Sequence, residues 1–160
     1  MSRRVVSGLP KWLPFANRVV RGLSRLGVPL GTVHVLTVAG RRSGRERVTP
    51  VSPLTVRGRR FVVAGLPDGD WARNVRAAGR GVLAAGRKRS VVGLVEITDP
   101  GLKGAVMRAF PTEVPGGVAF FVKLGLVTAG DPGQFEAAAG RVAVFEIVVG
   151  HSPDGRKIAD

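Results

Sequence analysis

The stretch that decides the fold is VHVLTVAGRRSGRERVTPVSPLTVRGRRFVVAG, residues 33–65. Runs rich in β-branched residues alternate in it with polar, glycine-containing turns, a pattern typical of short strands joined antiparallel. Arg57-Gly58 predicts a tight hairpin between the last two runs. The strands are predicted at 33–38, 48–56 and 59–65.

Strand signals continue in the second half of the chain. Runs at 81–86 and 90–97, joined by the turn GRKR, predict a second hairpin, and 141–150 predicts a buried strand. Pro50 and Pro53 have no amide hydrogen, so we expect the strand that contains them to bend or to lie at a sheet edge. Six strands with short connections and few helices predict a mainly β fold, an antiparallel barrel with helices packed on its outside.

Capping signals predict two helices after the first hairpin. Asp70 precedes WARNVRAAG and is the expected N-cap of a helix that ends at Gly79. Asp99-Pro100 predicts an N-cap followed by proline at the first helical position, and this helix should run to about Phe110. The stretch 114–133 is broken by proline and glycine.

The segment 10–26 predicts an amphipathic helix. Its apolar residues recur at spacings of three and four, and its lysine and arginines recur every seven residues on another face. We favour a helix whose apolar stripe covers the barrel. The alternative is a basic helix that lies on an anionic membrane or closes over a ligand groove. The apolar stripe consists of Trp12, Phe15, Val19, Leu23 and Leu26.

The length of 160 residues predicts a single domain over 1–160, with 1–9 and 151–160 as flexible tails. The chain has no cysteine, and its two histidines, His34 and His151, are far apart, so we expect no disulfide and no metal site. We identify no signal peptide and no apolar run that could span a bilayer. The expected localisation is cytoplasmic, with membrane association through the basic N-terminal helix left open.

The net charge is +14, from 25 basic and 11 acidic residues. Such an excess favours a polyanionic partner, which includes nucleic acid, an anionic membrane and a phosphorylated or polycarboxylate small molecule. The sequence has no aromatic platform and no recognition-helix pattern, so we expect no nucleic-acid partner. A simpler alternative is that the arginines serve solubility.

The densest charge lies in the turn GRRSG, residues 40–44, and just beyond it. Its two glycines let the backbone bend sharply and direct amide N–H groups into one concavity, which favours an anion. Surrounding arginines can bind a phosphate bidentately, and the hydroxyls of Ser43 and Thr49 add neutral donors. A solvated turn explains the same residues equally well. GxxxxGK[ST] is absent and no GxGxxG follows a strand, which disfavours nucleoside triphosphates.

Three motifs occur in order: GRRSGRERVTP at 40–50, VAG at 63–65 and WARNV at 71–75. Together they resemble the G-R-[KR]-S-G-x-x-R-x-T-P, V-A-[GS] and W-x-x-N-[LV] elements of the deazaflavin-dependent oxidoreductase family, which includes deazaflavin-dependent nitroreductases. The resemblance covers about residues 20–99 well and the remainder loosely. It implies a six-stranded antiparallel split β-barrel of the FMN-binding type.

The resemblance also implies binding of coenzyme F420, an 8-hydroxy-5-deazaflavin whose side chain carries a phosphate and a polyglutamate tail. The basic turn would bind the phosphate, the following strand would line the ring groove, and small residues at a later strand end would let the flat ring approach the backbone. Further cations, such as Arg73, Arg76, Arg87 and Lys88, would attract the tail. The implied cofactor-binding residues are Arg41, Arg42, Ser43, Arg47, Thr49, Pro50, Val51, Ala64, Gly65, Trp71 and Asn74.

The implied reaction is hydride transfer from F420H2 to a quinone, an activated alkene or a nitro compound, because a deazaflavin passes hydride rather than single electrons. Nitroreductase members use tyrosines near the acceptor, and this chain has no tyrosine. No acidic residue stands out as a general acid or base, and Glu96 and Glu146 are expected to form ion pairs or lie on a barrel face. The candidates for an apolar acceptor pocket are Phe110, Phe120, Phe121 and Phe135.

Two alternatives keep the fold and change the function. Related split barrels bind FMN or haem degradation products, and a phosphate-binding arginine turn suits FMN as well. Alternatively, the chain carries F420 without turning it over, because binding a cofactor does not establish catalysis. A homodimer is also open, since barrel relatives often pair across the cofactor groove.

Overall fold

The computed structural model describes residues 34–149, which form one curled antiparallel sheet with helices packed on it. The predicted helix at 10–26 and the predicted tails lie outside the described residues. The strands are β1 (His34–Ala39), β2 (Glu46–Val51), β3 (Leu54–Val56), β4 (Arg59–Ala64), β5 (Arg80–Ala85), β6 (Lys88–Glu96) and β7 (Ala143–Val149). The helices are α1 (Asp70–Ala78), α2 (Pro100–Glu113), α3 (Val118–Lys123) and α4 (Pro132–Ala137), with 3-10 turns at Pro115–Gly117 and Ala139–Arg141.

The sheet has seven strands rather than the predicted six, in the order β2-β1-β5-β6-β7-β4-β3. The predicted strand at 48–56 is in fact two strands, because the chain leaves the sheet at Ser52 and Pro53. β2 pairs only with β1, and β3 pairs only with β4, so these two strands are the sheet's two edges. Since only two residues join the edges, the sheet must curl into an open barrel. This is the split-barrel architecture that the sequence predicts.

Apolar residues form separate cores on the two faces of the sheet. The barrel interior contains Phe145, and α1 packs on it through Ala72 and Val75, both fully buried. The outer face of β3, β4 and β7 is covered by α2, α3 and α4, and Phe61 and Phe135 are fully buried there. Removing this apolar surface from water is the main stabilising contribution. The sheet therefore has a helix-covered core on each face.

Both predicted hairpins form. Arg57 and Gly58 have φ of 52° and 74°, the left-handed pair that favours a two-residue hairpin. The second hairpin turns at Gly86 and Arg87 alone, since Ala85 and Lys88 already pair in the sheet. It is therefore tighter than the four-residue turn GRKR.

The start of α1 differs from the prediction. Gly69 is its N-cap, and Asp70 is its first helical residue. A carboxylate in the first turn is favoured by the helix dipole, and at this place it also reaches a side chain of the basic turn. The helix ends at Gly79 with a φ of 67°, as predicted.

The helices that follow β6 are longer and more numerous than predicted. Asp99 caps α2 as expected, accepting a hydrogen bond of 2.8 Å from the amide of Leu102. The helix continues past Phe110 and includes Pro111. The broken stretch 114–133 contains α3 and the first residues of α4. None of the helices within residues 34–149 has the length and hydrophobicity of a membrane-spanning segment.

Candidate functional site

The basic turn joins β1 to β2 at one edge of the sheet. Gly40 N–H donates to the Arg45 carbonyl at 2.8 Å, and Gly44 N–H donates to the Gly40 carbonyl at 2.8 Å. Ser43 Oγ accepts from the Arg45 amide at 3.2 Å. Within the described part of the chain, the Arg42 and Ser43 amides donate to no other group. Fewer amides are therefore available to an anion than the sequence predicts, because those of Gly40, Arg41 and Gly44 already donate to other groups of the protein.

Arg41 connects the basic turn to α1. Its amide donates to Asn74 Oδ1 at 3.1 Å, and its Nη1 donates to the same oxygen at 2.9 Å. Its Nη2 forms an ion pair with Asp70 Oδ1 at 3.1 Å. By contrast, Arg42 and Arg47 are exposed, and neither forms an ion pair or side-chain hydrogen bond with another residue of 34–149. These two side chains are the ones available to an external anion.

Two cavities meet beside the basic turn. The first, of about 730 Å³, lies between the turn, β2 and the start of α1. The second, of about 690 Å³, lies between β2, β4 and the helices α2 and α3, and its walls are mainly apolar. Thr49, Asp70 and Trp71 line both cavities, so the two are adjacent and together outline a groove along the open side of the barrel. We call it the split groove.

All but one of the predicted cofactor-binding residues line the split groove. The exception is Ala64, which is 1% exposed and packs inside the barrel. Side chains alternate along a strand, so Val63 and Gly65 face the groove and Ala64 faces away from it. The basic end has Arg41, Arg42, Ser43, Arg47 and Asn74, the apolar end has Pro50, Val51 and Gly65, and Thr49 and Trp71 belong to both.

A side chain at Gly65 would require neighbouring side chains to move. A Cβ there would lie 2.8 Å from Leu124 Cδ1 and 3.1 Å from Phe120 Cε1. The glycine therefore allows the residues of α3 and just after it to pack against the end of β4. A side chain at this position would push that wall of the apolar end outward.

Three of the four predicted phenylalanines line the apolar end. Phe110 and Phe121 are buried against each other, with ring centroids 4.8 Å apart, while Phe120 is 50% exposed at the groove's edge. Phe135 is fully buried in the outer core, where it stacks on Phe110 at 5.6 Å, and does not line the groove. It supports the wall rather than forming it.

Sequence reasoning missed several groove residues. Asp70 lines both cavities although the sequence assigned it to a helix cap; its position directly before Trp71 was the available signal. A Cβ on Gly117 would lie 2.8 Å from Phe110 Cζ, so the chain packs closely there. The sequence signal for this packing was the pair of adjacent glycines in an otherwise apolar run. The remaining missed residues include Glu46, Ser52, Leu66 and Gly116.

Glu96 and Glu146 form ion pairs, as expected, and neither lines the split groove. Hydrogen bonds from Arg76 to both carboxylate oxygens, each of 2.8 Å, lower the pKa of Glu96. Hydrogen bonds from Arg59 lower the pKa of Glu146 in the same way. Arg76 is thus held by Glu96 and is not free to attract a cofactor tail.

The groove's chemistry fits a cofactor with an anionic arm and a flat ring. Exposed guanidinium groups at one end suit a phosphate, which arginine binds through several hydrogen bonds. Apolar and aromatic walls at the other end suit a planar ring system, with a few hydroxyls for orientation. An open split barrel with such a groove has the features of a class of proteins that bind flavin-like cofactors.

The model of the F420H(2)-dependent quinone reductase family matches residues 15–108. The chain belongs to this family; it is an F420-dependent oxidoreductase, and F420H2 is its cofactor. This confirms the resemblance on which the cofactor expectation depends, and it favours F420 over FMN. No curated protein matches the sequence significantly.

Solved structures support the fold. A conserved hypothetical protein from Mycobacterium tuberculosis is 12% identical, with a TM-score of 0.55, covering 93% of this chain and 86% of its own. A nimC/nimA family protein from Clostridium acetobutylicum is 14% identical, with a TM-score of 0.50, covering 84% and 85%. A protein described as a domain-swapped dimer is 18% identical, with a TM-score of 0.50, covering 82% and 98%.

Proposed function

We propose that the chain reduces a quinone with F420H2, and that both bind in the split groove. The observation that carries this proposal is that a cavity with exposed arginines and a mainly apolar cavity lie side by side. Thr49, Asp70 and Trp71 lie at the junction of the two ends. A cofactor whose phosphate is held at the first end would extend its ring toward the second, where an acceptor could pack against it.

At the basic end, Arg42 and Arg47 bind the phosphate, because their guanidinium groups are exposed at the groove and unused within the described structure. Ser43 adds its amide as a neutral donor. Trp71, half-buried at the junction, packs against the ring and keeps it in the groove. These contacts hold the ring in one orientation, and this favours an alignment with the acceptor that allows hydride transfer.

At the apolar end, the walls exclude water and accept a flat, weakly polar molecule. When bound, F420H2 supplies a hydride, and a quinone that takes up this hydride and one proton from solvent becomes a hydroquinone. Thr49 and Ser52 place hydroxyl groups there. They donate hydrogen bonds to the acceptor oxygen as it becomes negative.

The choice of acceptor follows from what the walls contain. Nitroreductase relatives use tyrosines at the acceptor, and this sequence has none. Phe110, Phe120 and Phe121 offer apolar and aromatic contact without phenolic donors. Such walls favour a planar quinone over a nitro compound, and an activated alkene comes second.

The direct test is anaerobic oxidation of F420H2, followed by its absorbance, with a quinone, an enone and a nitroaromatic as acceptors. We expect the largest kcat/KM with the quinone. Equal or greater efficiency with the nitroaromatic would refute the acceptor assignment. F420 binding without oxidation by any acceptor would favour the carrier alternative, and tighter binding of FMN than of F420 would favour an FMN protein.

Two variants of α3 locate the acceptor. Phe120 is 50% exposed and lines the groove, whereas Val122 is 39% exposed and does not. Phe120→Ser should raise the KM for the quinone about fivefold, because it removes apolar contact worth about 1 kcal/mol. Val122→Ser, the matched control, should leave this KM unchanged. Similar effects of both variants would place the acceptor elsewhere.

Assembly and membrane contact stay predictions. One structurally similar protein is described as a domain-swapped dimer, which motivates measuring this chain's mass in solution by light scattering. Co-sedimentation with anionic vesicles tests membrane contact. A monomeric mass would contradict the dimer, and recovery in the supernatant would contradict the membrane interaction.

A further inference from the structure

Neighbouring arginines of the basic turn have different environments. The Arg41 side chain is 21% exposed and bonds to two residues of α1. Arg42, the next residue, is exposed and lines the basic end of the split groove. Of these two arginine side chains, that of Arg41 therefore binds α1, whereas that of Arg42 is available to a ligand.

Asn74 is the partner that holds Arg41. It is 6% exposed, and its Oδ1 accepts from the Arg41 backbone amide at 3.1 Å and from Nη1 at 2.9 Å. A buried carbonyl oxygen that loses its donors bears an uncompensated desolvation cost. Asn74 thus links the basic turn to α1 by accepting hydrogen bonds from both the backbone amide and the side chain of Arg41.

The contact between Arg41 and Asn74 also influences the positions of Arg42 and Arg47. Gly40, directly before Arg41, is in close contact with Arg47, since a Cβ on Gly40 would be 3.3 Å from both Cγ and Nε of Arg47. The Gly40 carbonyl accepts from the Gly44 amide across the turn. Displacing Arg41 would therefore move the turn that carries Arg42 and the surface on which Arg47 rests.

We propose that Asn74 is a positioning residue which, through Arg41, holds the basic turn in its anion-binding shape, while Arg42 and Arg47 contact the anion. The inference rests on the proposed function for the identity of that anion, the phosphate of F420. A binding loop that is already ordered loses less conformational entropy when the ligand binds, which is how such a residue raises affinity.

Asp70 has a minor part in this arrangement. Its side chain is 90% exposed, and an ion pair so open to solvent contributes little. Its negative charge also lies in the groove that receives an anion. Asp70→Asn should therefore bind F420 at least as tightly as the wild-type protein, and it is the control that separates loss of the ion pair from loss of the Asn74 contacts.

The first experiment needs no cofactor. Amide hydrogen exchange of Gly44 should be faster in Asn74→Ala than in the wild type, while exchange in β6 and β7 stays unchanged. Asn74→Asp keeps an acceptor oxygen at this place and should restore the slow exchange. Equal exchange of Gly44 in the wild type and Asn74→Ala would overturn the proposal.

The second experiment is a double-mutant cycle for F420 affinity, measured by fluorescence titration. Asn74→Ala should weaken binding about tenfold without changing its salt dependence, because no charge is removed. In an Arg41→Ala background the same substitution should have a clearly smaller effect, since only the hydrogen bond from the backbone amide of residue 41 to Asn74 is left to lose. Additive losses would instead mean that Asn74 contacts the cofactor itself, and would overturn the positioning role.

The outcomes separate this inference from the proposed function. A wild-type protein that does not bind F420 refutes the proposed function and with it the anion named here, whereas the exchange measurement still decides whether Asn74 orders the turn. A wild type that binds F420, together with an Asn74→Ala variant of equal affinity, refutes the positioning role alone.

Discussion

Removing the two exposed arginines of the split groove tests the phosphate site directly. The double variant Arg42→Ala with Arg47→Ala leaves the Arg41–Asn74 contacts in place, so the turn should keep its shape. Both side chains line the basic end and have no partner within residues 34–149. Their removal therefore leaves no buried group unsatisfied, and the fold should be unaffected.

The expected loss of affinity follows from the exposure of both side chains. A hydrogen bond to a charged group contributes about 1.5–3 kcal/mol, and exposure favours the lower value. Two such contacts amount to about 3 kcal/mol, or roughly 100-fold in the Kd for F420. Because these contacts are ionic, raising the salt concentration should weaken the wild type more than the double variant.

Fluorescence titration with F420 at low and high salt measures both effects. The matched control is Arg80→Ala with Arg141→Ala, which removes the same charge from exposed positions outside the split groove. The control should lose little affinity. If it loses as much as the Arg42 and Arg47 variant, then long-range charge rather than contact explains binding, and the phosphate site as argued is refuted.

Three further predictions concern the groove and the fold. Gly65→Ala should lower the thermal midpoint and raise the KM for the quinone, because the added Cβ would come within 2.8 Å of a leucine methyl just after α3. Gly93→Ala is the control and should change neither quantity, because the nearest atom to its Cβ would be 3.7 Å away. Calorimetry measures the thermal midpoint and steady-state kinetics measures the KM. Acid should destabilise the fold: the pKa values of Glu96 and Glu146 are lowered, so their contribution is complete above the ordinary value of 4.5 and is lost as the pH falls through the lowered values. Denaturant titrations at several pH values check this, and stability that stays constant down to pH ~3 would contradict it. Binding of F420 should quench tryptophan fluorescence through Trp71, and Trp71→Phe should remove most of the quenching; full quenching in that variant would assign it to Trp12.

The strands and their hairpins are largely predictable because the signals are local. Arg57-Gly58 and the glycine at 86 specify turns within a few residues of the strands they join. The division of the predicted 48–56 strand at Pro53 was harder to predict. A proline indicates that a strand is interrupted, but not that its two parts belong to opposite edges of a sheet. That outcome depends on which strands pair across the whole chain, and no local pattern contains this information.

The predicted groove residues were brought together because the motifs place them on β2, at the end of β4 and on α1. What sequence reasoning missed was the direction of individual side chains. Ala64 and Gly65 were taken as one small pair, yet alternation along the strand sends Ala64 into the barrel. Arg41 and Arg42 were taken as equivalent, and only the position of Asn74 in space distinguishes them.

The place of β7 in the sheet also affects how the protein is made on the ribosome. β7 is the strand that joins β6 to β4, and within the described residues it is the last strand to be synthesised. Until residues 143–149 emerge from the exit tunnel, the nascent chain has two sheet fragments with unpaired edges at β4 and β6. Such edges can pair with other chains. The barrel therefore cannot close before β7 emerges, and until then chaperones that bind exposed strands have access to these edges.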